Sequence, residues 1–277
     1  MKIVDFTHQL VSALVVGLLA LCCSSISLGA SPVLDRVVES GVLRVAMSAD
    51  QPPFSLRNRE QKLIGYDVDL ATALAEVMKV ELEIVETPFA NLLDTLLNNR
   101  ADMVISGMTI TPERTQSVSF IGPYVLSGKS ILTTSRIESV VDDVAQFNDP
   151  NIRMVALSSS TSEMFAESNF PDADYHAIAS YDEGVQMLVT GRIDAMIADI
   201  PILKLTMMRY PEASLSLLEP PLSVESLGIA IRPNDYQFES LVRNYLFSFE
   251  TNGMTLNWYR KWFEDISWIA QLPQQLN

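Results

Sequence analysis

The chain has 277 residues, with 19 Lys plus Arg against 34 Asp plus Glu, for a formal net charge of −15. Apolar residues make up 48% and aromatics 8%, a globular composition that excludes a disordered or low-complexity chain. So acidic a chain repels phosphate backbones, and two His and two adjacent Cys supply no histidine metal site, His-dependent triad or disulfide framework.

The first thirty residues read as an address. Lys2 precedes an apolar run from Leu10 to Cys23, broken only by Ser12, and small and polar residues follow from Ser24 to Ser31. This is the charged start, apolar middle and small-residue end of a cleavable signal peptide over residues 1–30, and it predicts a periplasmic protein. The run is shorter than the ~20 residues a membrane-spanning helix needs. A lipoprotein cut before Cys22 would put Leu21 where a small residue belongs, so a lipid or membrane anchor is the weaker reading. Cutting near Gly29 or Ala30 removes His8 and both cysteines and leaves the net charge at −15.

The remaining chain alternates strand and helix patterns. Val42–Met47 reads as a buried strand after Gly41, Val68–Val80 as an amphipathic helix and Glu81–Glu86 as a strand. Ala90–Asn99 reads as a helix and Met103–Ile105 as a short buried strand. This β-α-β-α-β order predicts a mainly parallel sheet with helices on both faces. The pattern then restarts, with strands at Ile131–Thr134, Arg153–Leu157 and Ala195–Ala198. Helices are predicted at Val140–Phe147, Ser162–Asn169, Tyr181–Val189 and Ile202–Arg209. A strand at Leu227–Ile231 and helices at Phe238–Glu250 and Leu256–Glu264 close the chain. No sequence repeat relates the two units.

Ligands of open α/β sheets bind beyond the carboxyl ends of the strands, so the loops after Met47, Ile105, Leu157 and Ala198 are the candidates for function. After Ile105 comes SGMTITPER. Gly107 permits close backbone approach, Thr109 offers a hydroxyl and an N–H, and Thr111 and Pro112 open a helix. Arg114 beside that helix start can pair bidentately with a carboxylate, or can be a solvated helix-end arginine. After Leu157, the run SSSTSE brings Thr161 and Ser162 to a helix start, which suits a polar or anionic group or an ordinary cap. After Ala198, Asp199 can accept an ammonium, cap the next helix, or do both. A carboxylate anchor on one unit and an ammonium acceptor on the other fit a zwitterion between them, as an α-amino acid is.

These residues resemble the bacterial periplasmic solute-binding proteins of the polar-amino-acid type (family 3), which deliver ligands to ABC importers. The stretch GYDVDLATALAEVM (Gly65–Met78) fits the family signature, SGMTITPER its ligand loop, and IADIP (Ile197–Pro201) its amino-group acceptor segment. LGIAIRP and Trp258–Phe263 match its return to the first lobe, so the likeness covers Val33–Phe263. It implies a two-lobed α/β fold of the type II periplasmic binding proteins with two hinge crossovers. Lobe 1 would be residues 31–124 and 222–277, and lobe 2 residues 125–221, with hinges at Tyr124–Gly128 and Ser223–Leu227. Phe89 would stack on the ligand side chain, and Gly107 and Thr109 would contact its backbone. Arg114, helped by Thr161 and Ser162, would hold its carboxylate, and Asp199 its ammonium. Ser48 and Gln51 align with first-loop places that often carry an acid and a second aromatic, and Ser159 stands where a glycine is usual. The implied partners are a small amino-acid-like ligand and the membrane subunits of an ABC transporter, with no nucleic acid and a monomeric chain. No phosphate loop, dinucleotide fingerprint or metal cluster appears, so no cofactor is expected.

Two rivals share the module. A few members of this superfamily are periplasmic dehydratases acting on prephenate-like acids, and LDRVVESGVLRVA is compatible with them; that chemistry needs a general acid, for which Asp199 or Glu163 are the candidates. The other rival is a sensor that presents the liganded module to a membrane receptor. His176 reads as a surface residue, and Met207, Met208 and the late tryptophans as packing.

Overall fold

The computed structural model describes residues 31–138 and 143–273. The predicted leader, and the start of the helix expected at Val140, lie outside them. None of the described helices is long and apolar enough to cross a membrane.

The chain opens with helix α1 (Pro32–Ser40), started by Pro32 and ended by Gly41 in the left-handed conformation at φ 68°. Strand β1 (Val42–Met47) follows, then a small antiparallel meander of β2 (Asp50–Gln51), β3 (Ser55–Arg57) and β4 (Leu63–Ile64). Helix α2 (Tyr66–Met78) buries Leu70, Ala71 and Leu74, and β5 (Glu81–Glu86) returns parallel to β1. A 3₁₀ turn at Phe89–Asn91 leads into α3 (Leu92–Leu97), where one longer helix was expected. Strand β6 (Met103–Val104) and the one-turn helix α4 (Pro112–Thr115) follow, joined by a loop.

Strand β7 (Ser119–Thr134) is far longer than the Ile131–Thr134 strand predicted, and it leads into the short helix α5 (Ser135–Glu138). The second lobe continues with β8 (Arg153–Leu157), α6 (Thr161–Asn169), β9 (Asp174–Ile178) and α7 (Tyr181–Val189). It closes with β10 (Ala195–Asp199), α8 (Ile200–Arg209) and the short β11 (Leu215–Leu217). Strand β12 (Ser223–Ile231) then returns to the first lobe, which ends with α9 (Tyr236–Thr251), α10 (Met254–Tyr259) and a π turn at Arg260–Glu264.

One nine-stranded sheet runs through both lobes in the order β5-β1-β6-β12-β7-β10-β8-β9, with β11 also paired to β7. The outer strands of each half are parallel, and β7 and β12 run antiparallel to each other between the halves. They are the two crossovers. Their lengths were not legible in hydrophobic runs, because Gly122, Pro123 and exposed Leu126 interrupt β7 while Glu225 and exposed Val224 interrupt β12.

The two halves repeat one device. Asp102, fully buried just before β6, accepts the Arg44 main-chain N–H at 2.7 Å and its guanidinium at 3.0 Å. Asp194, just before β10, accepts the Arg153 main-chain N–H at 3.1 Å and its guanidinium at 2.8 and 3.0 Å. Each acid ties the incoming strand to its neighbour, and each pair combines charge with hydrogen bonds.

The signature stretch earns its residues mechanically. A Cβ on Gly65 would lie 2.1 Å from the Phe54 carbonyl oxygen, and the backbone there has φ 142°, so only glycine fits where α2 meets β3. Asp67 accepts the Gly107 N–H at 2.7 Å and so holds the loop between β6 and α4 to α2. Asp69 accepts Trp262 Nε1 and Lys261 Nζ, both at 2.7 Å, and fastens the C-terminal helices to the first lobe. Gly65→Ala should therefore cost about 3 kcal/mol in urea unfolding. Gly253→Ala, at φ 83° with open space around it, should cost about 1 kcal/mol. Equal losses would show that conformation alone, and not the contact with Phe54, explains Gly65.

Candidate functional site

The carboxyl ends of β6, β8 and β10 bring three loops to one cleft between the lobes. Thr111 caps α4 by accepting the Arg114 N–H at 3.2 Å. The cap sends the Arg114 side chain back across the loop. Its guanidinium donates to the Thr109 carbonyl at 2.8 Å and, from the first lobe to the second, to the Ser159 carbonyl at 3.0 Å. The guanidinium carbon stands 5.7 Å from the centre of the Phe89 ring. Burial lowers the Arg114 pKa, and the Glu225 and Asp199 carboxylates oppose that shift. A second contact joins the lobes, from Thr109 Oγ1 to Thr161 Oγ1 at 3.3 Å. The lobes are therefore in contact across the cleft.

Ser160, not Thr161, caps α6, accepting the N–H groups of Ser162 and Glu163 at 3.1 and 3.2 Å. That leaves the Thr161 hydroxyl out of the cap, among Thr109, Lys129 and Glu225. Ser162 departs from the expectation of a ligand contact: it is buried, and its N–H is committed to the cap. Ser159, in the place usual for glycine, does adopt a left-handed backbone at φ 60°. Glu163 is turned away from the cleft groups, accepting the Tyr175 hydroxyl at 3.2 Å and the Ser159 N–H at 2.5 Å.

Asp199 ends β10 and stands at the start of α8, yet its side chain makes no cap hydrogen bond. It is 8% exposed, and its Oδ1 has no hydrogen-bond partner. Burial pushes its pKa up to about 6, against the pull of the Lys129 and Arg114 charges. It is an acceptor held open beside the place where Arg114 and Thr161 converge.

Two residues of the cleft were missed in the sequence. Lys129, on β7, is 1% exposed. Its Nζ donates to Thr161 Oγ1 at 2.5 Å and to Glu225 Oε1 on β12 at 2.7 Å, and lies 4.0 Å from Asp199 Oδ1. Burial penalises the Glu225 carboxylate, but the hydrogen bond and charge of Lys129 outweigh it, aided by Thr109 and Ser223, and hold its pKa below the usual range. Lys129 sits between Gly128 and Ser130, outside any apolar run, and only its pairing with Glu225 shows why a lysine can be buried there. Tyr181, at the start of α7, is the other. Burial, with the Asp199 and Asp50 charges nearby, raises its phenol pKa and keeps it neutral.

The first loop differs from the expected contacts. Ser48 spends its N–H on Ser106 Oγ at 2.9 Å and its hydroxyl on Asp50. Gln51 is buried against Gly107, where a Cβ would lie 3.1 Å from Gln51 Oε1, so a side chain at Gly107 would crowd Gln51 and strain the backbone at φ 54°. The loop's acid is Asp50, two residues beyond the aligned position. Burial raises its pKa, the Ser48 hydrogen bond opposes that, and the Tyr181 N–H of the second lobe also donates to it. A cavity of about 370 Å³ opens at this edge between the lobes, lined by Ser48, Asp50, Pro88 and Ser180 among others.

The chain matches the family model of bacterial extracellular solute-binding proteins, family 3, over residues 43–265. It belongs to that family. Among similar proteins, a cyclohexadienyl dehydratase of Pseudomonas aeruginosa is 32% identical over 94% of this chain and 96% of its own length. The crystal structure of an ancestral amino acid-binding protein, a precursor of cyclohexadienyl dehydratase, is 33% identical, with a TM-score of 0.77 over 83% of this chain and 99% of that one. A binding component of an ABC transporter from Wolinella succinogenes, complexed with lysine, is 31% identical, with a TM-score of 0.79 over 83% and 99%. The fold is thus the two-lobed type II periplasmic binding protein fold expected from the sequence.

The Lys129–Glu225 pair yields a prediction for this family 3 member. Lys129→Met leaves Glu225 charged and partly buried, and should cost about 3–5 kcal/mol in denaturant unfolding, while the double variant Lys129→Met/Glu225→Met should recover most of it. A double variant no more stable than the single would show that the two residues are not coupled.

Proposed function

We propose that the chain binds an α-amino acid in the interlobe cleft and presents it, in the periplasm, to the membrane subunits of an ABC importer. The observation that carries this reading is the open Oδ1 of Asp199 opposite Arg114 and the Thr109–Thr161 hydroxyl pair. Arg114 with the two hydroxyls takes the α-carboxylate, and Asp199 takes the α-ammonium. Lys129 does not compete for the carboxylate, since Glu225 and Thr161 already engage it. Its bond to the Thr161 oxygen leaves the Thr161 proton to donate toward the ligand or a neighbouring acceptor.

Lobe 1 is then residues 31–124 and 222–277, and lobe 2 residues 125–221, with movement at Tyr124–Gly128 and Ser223–Leu227. Ligand meets Arg114 first, and closure adds Thr161 and Asp199; it proceeds because the closed form binds the ligand better than the open one. Phe89, against the Arg114 guanidinium, and Tyr181 are the residues this reading gives to the side-chain end, and Asp50 lines the cavity at its mouth. A carboxylate there disfavours an acidic side chain, so neutral and cationic amino acids are favoured over aspartate and glutamate. Residues 1–30 serve as the leader, and the functional unit is the monomer.

A second reading is favoured by two observations, the likeness to a cyclohexadienyl dehydratase and the Asp199 pKa of about 6. A buried carboxyl whose pKa is raised toward 6 keeps a protonated fraction under mildly acidic conditions and can act as a general acid. In this reading Asp199 gives its proton to the leaving hydroxyl of a cyclohexadiene acid anchored on Arg114; the C–O bond breaks to release water, and the bond to the ring carboxylate breaks to release CO₂, its electron pair completing the aromatic ring.

A thermal-shift screen of residues 31–277 against the twenty amino acids, prephenate and arogenate, with a turnover assay on every hit, separates the two. A neutral or cationic amino acid that raises Tm without turnover is the expected result, and product from prephenate or arogenate would replace binding by catalysis. With the amino acid in hand, Arg114→Ala and Asp199→Ala should each weaken calorimetric affinity at least ~100-fold with Tm of the ligand-free chain little changed. Affinity within ~3-fold of wild type in either variant would remove the assignment.

A further inference from the structure

Beyond the contacts of Arg114 and Thr109, the lobes also meet where the loop after β1 touches the start of α7. Strand β2 (Asp50–Gln51) of the first lobe packs against α7 (Tyr181–Val189) of the second. A cavity opens on either side of this contact. The one of about 370 Å³ is lined by Asp50 and Ser180, and the one of about 250 Å³ by Asp50 and Asp182. Asp50 therefore stands over the one residue between them, Tyr181, and its carboxylate accepts the Tyr181 N–H.

Both partners are prepared for this contact. The Ser48 hydroxyl donates to Asp50 Oδ1 and orients the carboxylate. Ser180 caps α7 by accepting the Glu183 N–H at 3.2 Å. The Tyr181 N–H, on the first helical residue, lies outside the helix's own ladder and needs an acceptor from elsewhere. The helix dipole also favours a negative charge at this end. Asp182 repels Asp50, but Arg209 stands 3.9 Å from Asp182 and, with Arg57, lines the same cavity.

We propose that Asp50 is an interlobe latch: its carboxylate, seated on the first N–H of α7, holds the two lobes together whether or not a ligand is bound. The inference rests on movement of the lobes about the crossovers, and not on which ligand the cleft takes. Asp50 is then a positioning residue for closure, acting on the open–closed balance whatever the side chain of the ligand.

Residues 31–277 hold no cysteine, so Glu76→Cys on the first lobe and Ser168→Cys on the second, both at exposed positions, can carry spin labels for an interlobe distance measurement without ligand. Asp50→Ala should lower the ratio of closed to open lobes at least ~5-fold. The helix side is tested at the same N–H. Proline fits the first position of a helix and lacks the N–H, and Ser180 before it is already extended at φ −148°, ψ 154°. Tyr181→Pro is compared with Tyr181→Ala, which loses the same ring but keeps the N–H, and should open the lobes by the same factor as Asp50→Ala. Adding Asp50→Ala to Tyr181→Pro should change the ratio by less than ~2-fold. Lobes equally open in Tyr181→Pro and Tyr181→Ala would overturn the N–H as the partner of Asp50. A distance distribution unchanged by Asp50→Ala would overturn the latch: if excess arginine still shortens the distance, lobe movement stands without the latch, and if it does not, the movement fails with it.

Discussion

A lysine buried between two strands organises this cleft. Lys129 on β7 and Glu225 on β12 form an ion pair across the crossovers that join the lobes, with Thr161 of the second lobe as a third partner. Each of these charges would be prohibitive if buried alone. Together they cancel, and they fix the Thr161 hydroxyl within 3.3 Å of Thr109 on the opposite lobe. Asp199 lies near this pair but at 4.0 Å stays outside hydrogen-bond reach of it. The neighbourhood therefore holds a cation at Arg114 and an acid at Asp199, the complement of a zwitterion, over a base whose own charges are spent.

The scaffold supports that arrangement through carboxylates that hold loops and strands in place. Asp67 fixes the turn of the ligand loop at Gly107 and is itself buried enough for its pKa to rise to about 7, with the Tyr124 hydroxyl and Gly107 N–H favouring its charged form. Asp69, two residues on and one helix face away, secures the C-terminal segment. Asp102 and Asp194 hold equivalent strands in the two halves. Precision in the cleft thus rests on carboxylates placed one shell or more behind it.

Much of the fold was legible, because buried strands such as Val42–Met47 and Arg153–Leu157 are short unbroken apolar runs with matching boundaries. Arg114, Thr161 and Asp199 were singled out because strand ends in an α/β sheet mark where ligands bind, and the fold brings them to one cleft. The crossovers were read short, since strands that bridge lobes are exposed in part and carry glycine, proline and charge. Strand β9 was missed for a similar reason: Asp174–Ile178 lies at the sheet edge with mostly exposed residues and lacks an apolar run. Lys129 was missed because a single lysine has no local pattern; only tertiary pairing shows that it is buried. The Arg44–Asp102 and Arg153–Asp194 pairs left a trace that was overlooked, in the matching segments RADMV and RIDAM.

The central claim is that Asp199, neutral or charged according to pH, becomes a carboxylate paired with the ligand's ammonium. Its free pKa of about 6 lies above the usual carboxylate range, and pairing with an ammonium must lower it, so binding at pH 6 has to expel a proton. The direct measurement is calorimetric titration of the bound amino acid at pH 6 in buffers of differing ionisation enthalpy, with Asp199→Asn as control. The account predicts release of about half a proton per ligand, vanishing by pH 8 and absent in any residual binding by the variant. No proton release at pH 6, or an uptake, would contradict it and assign the ammonium to another acceptor.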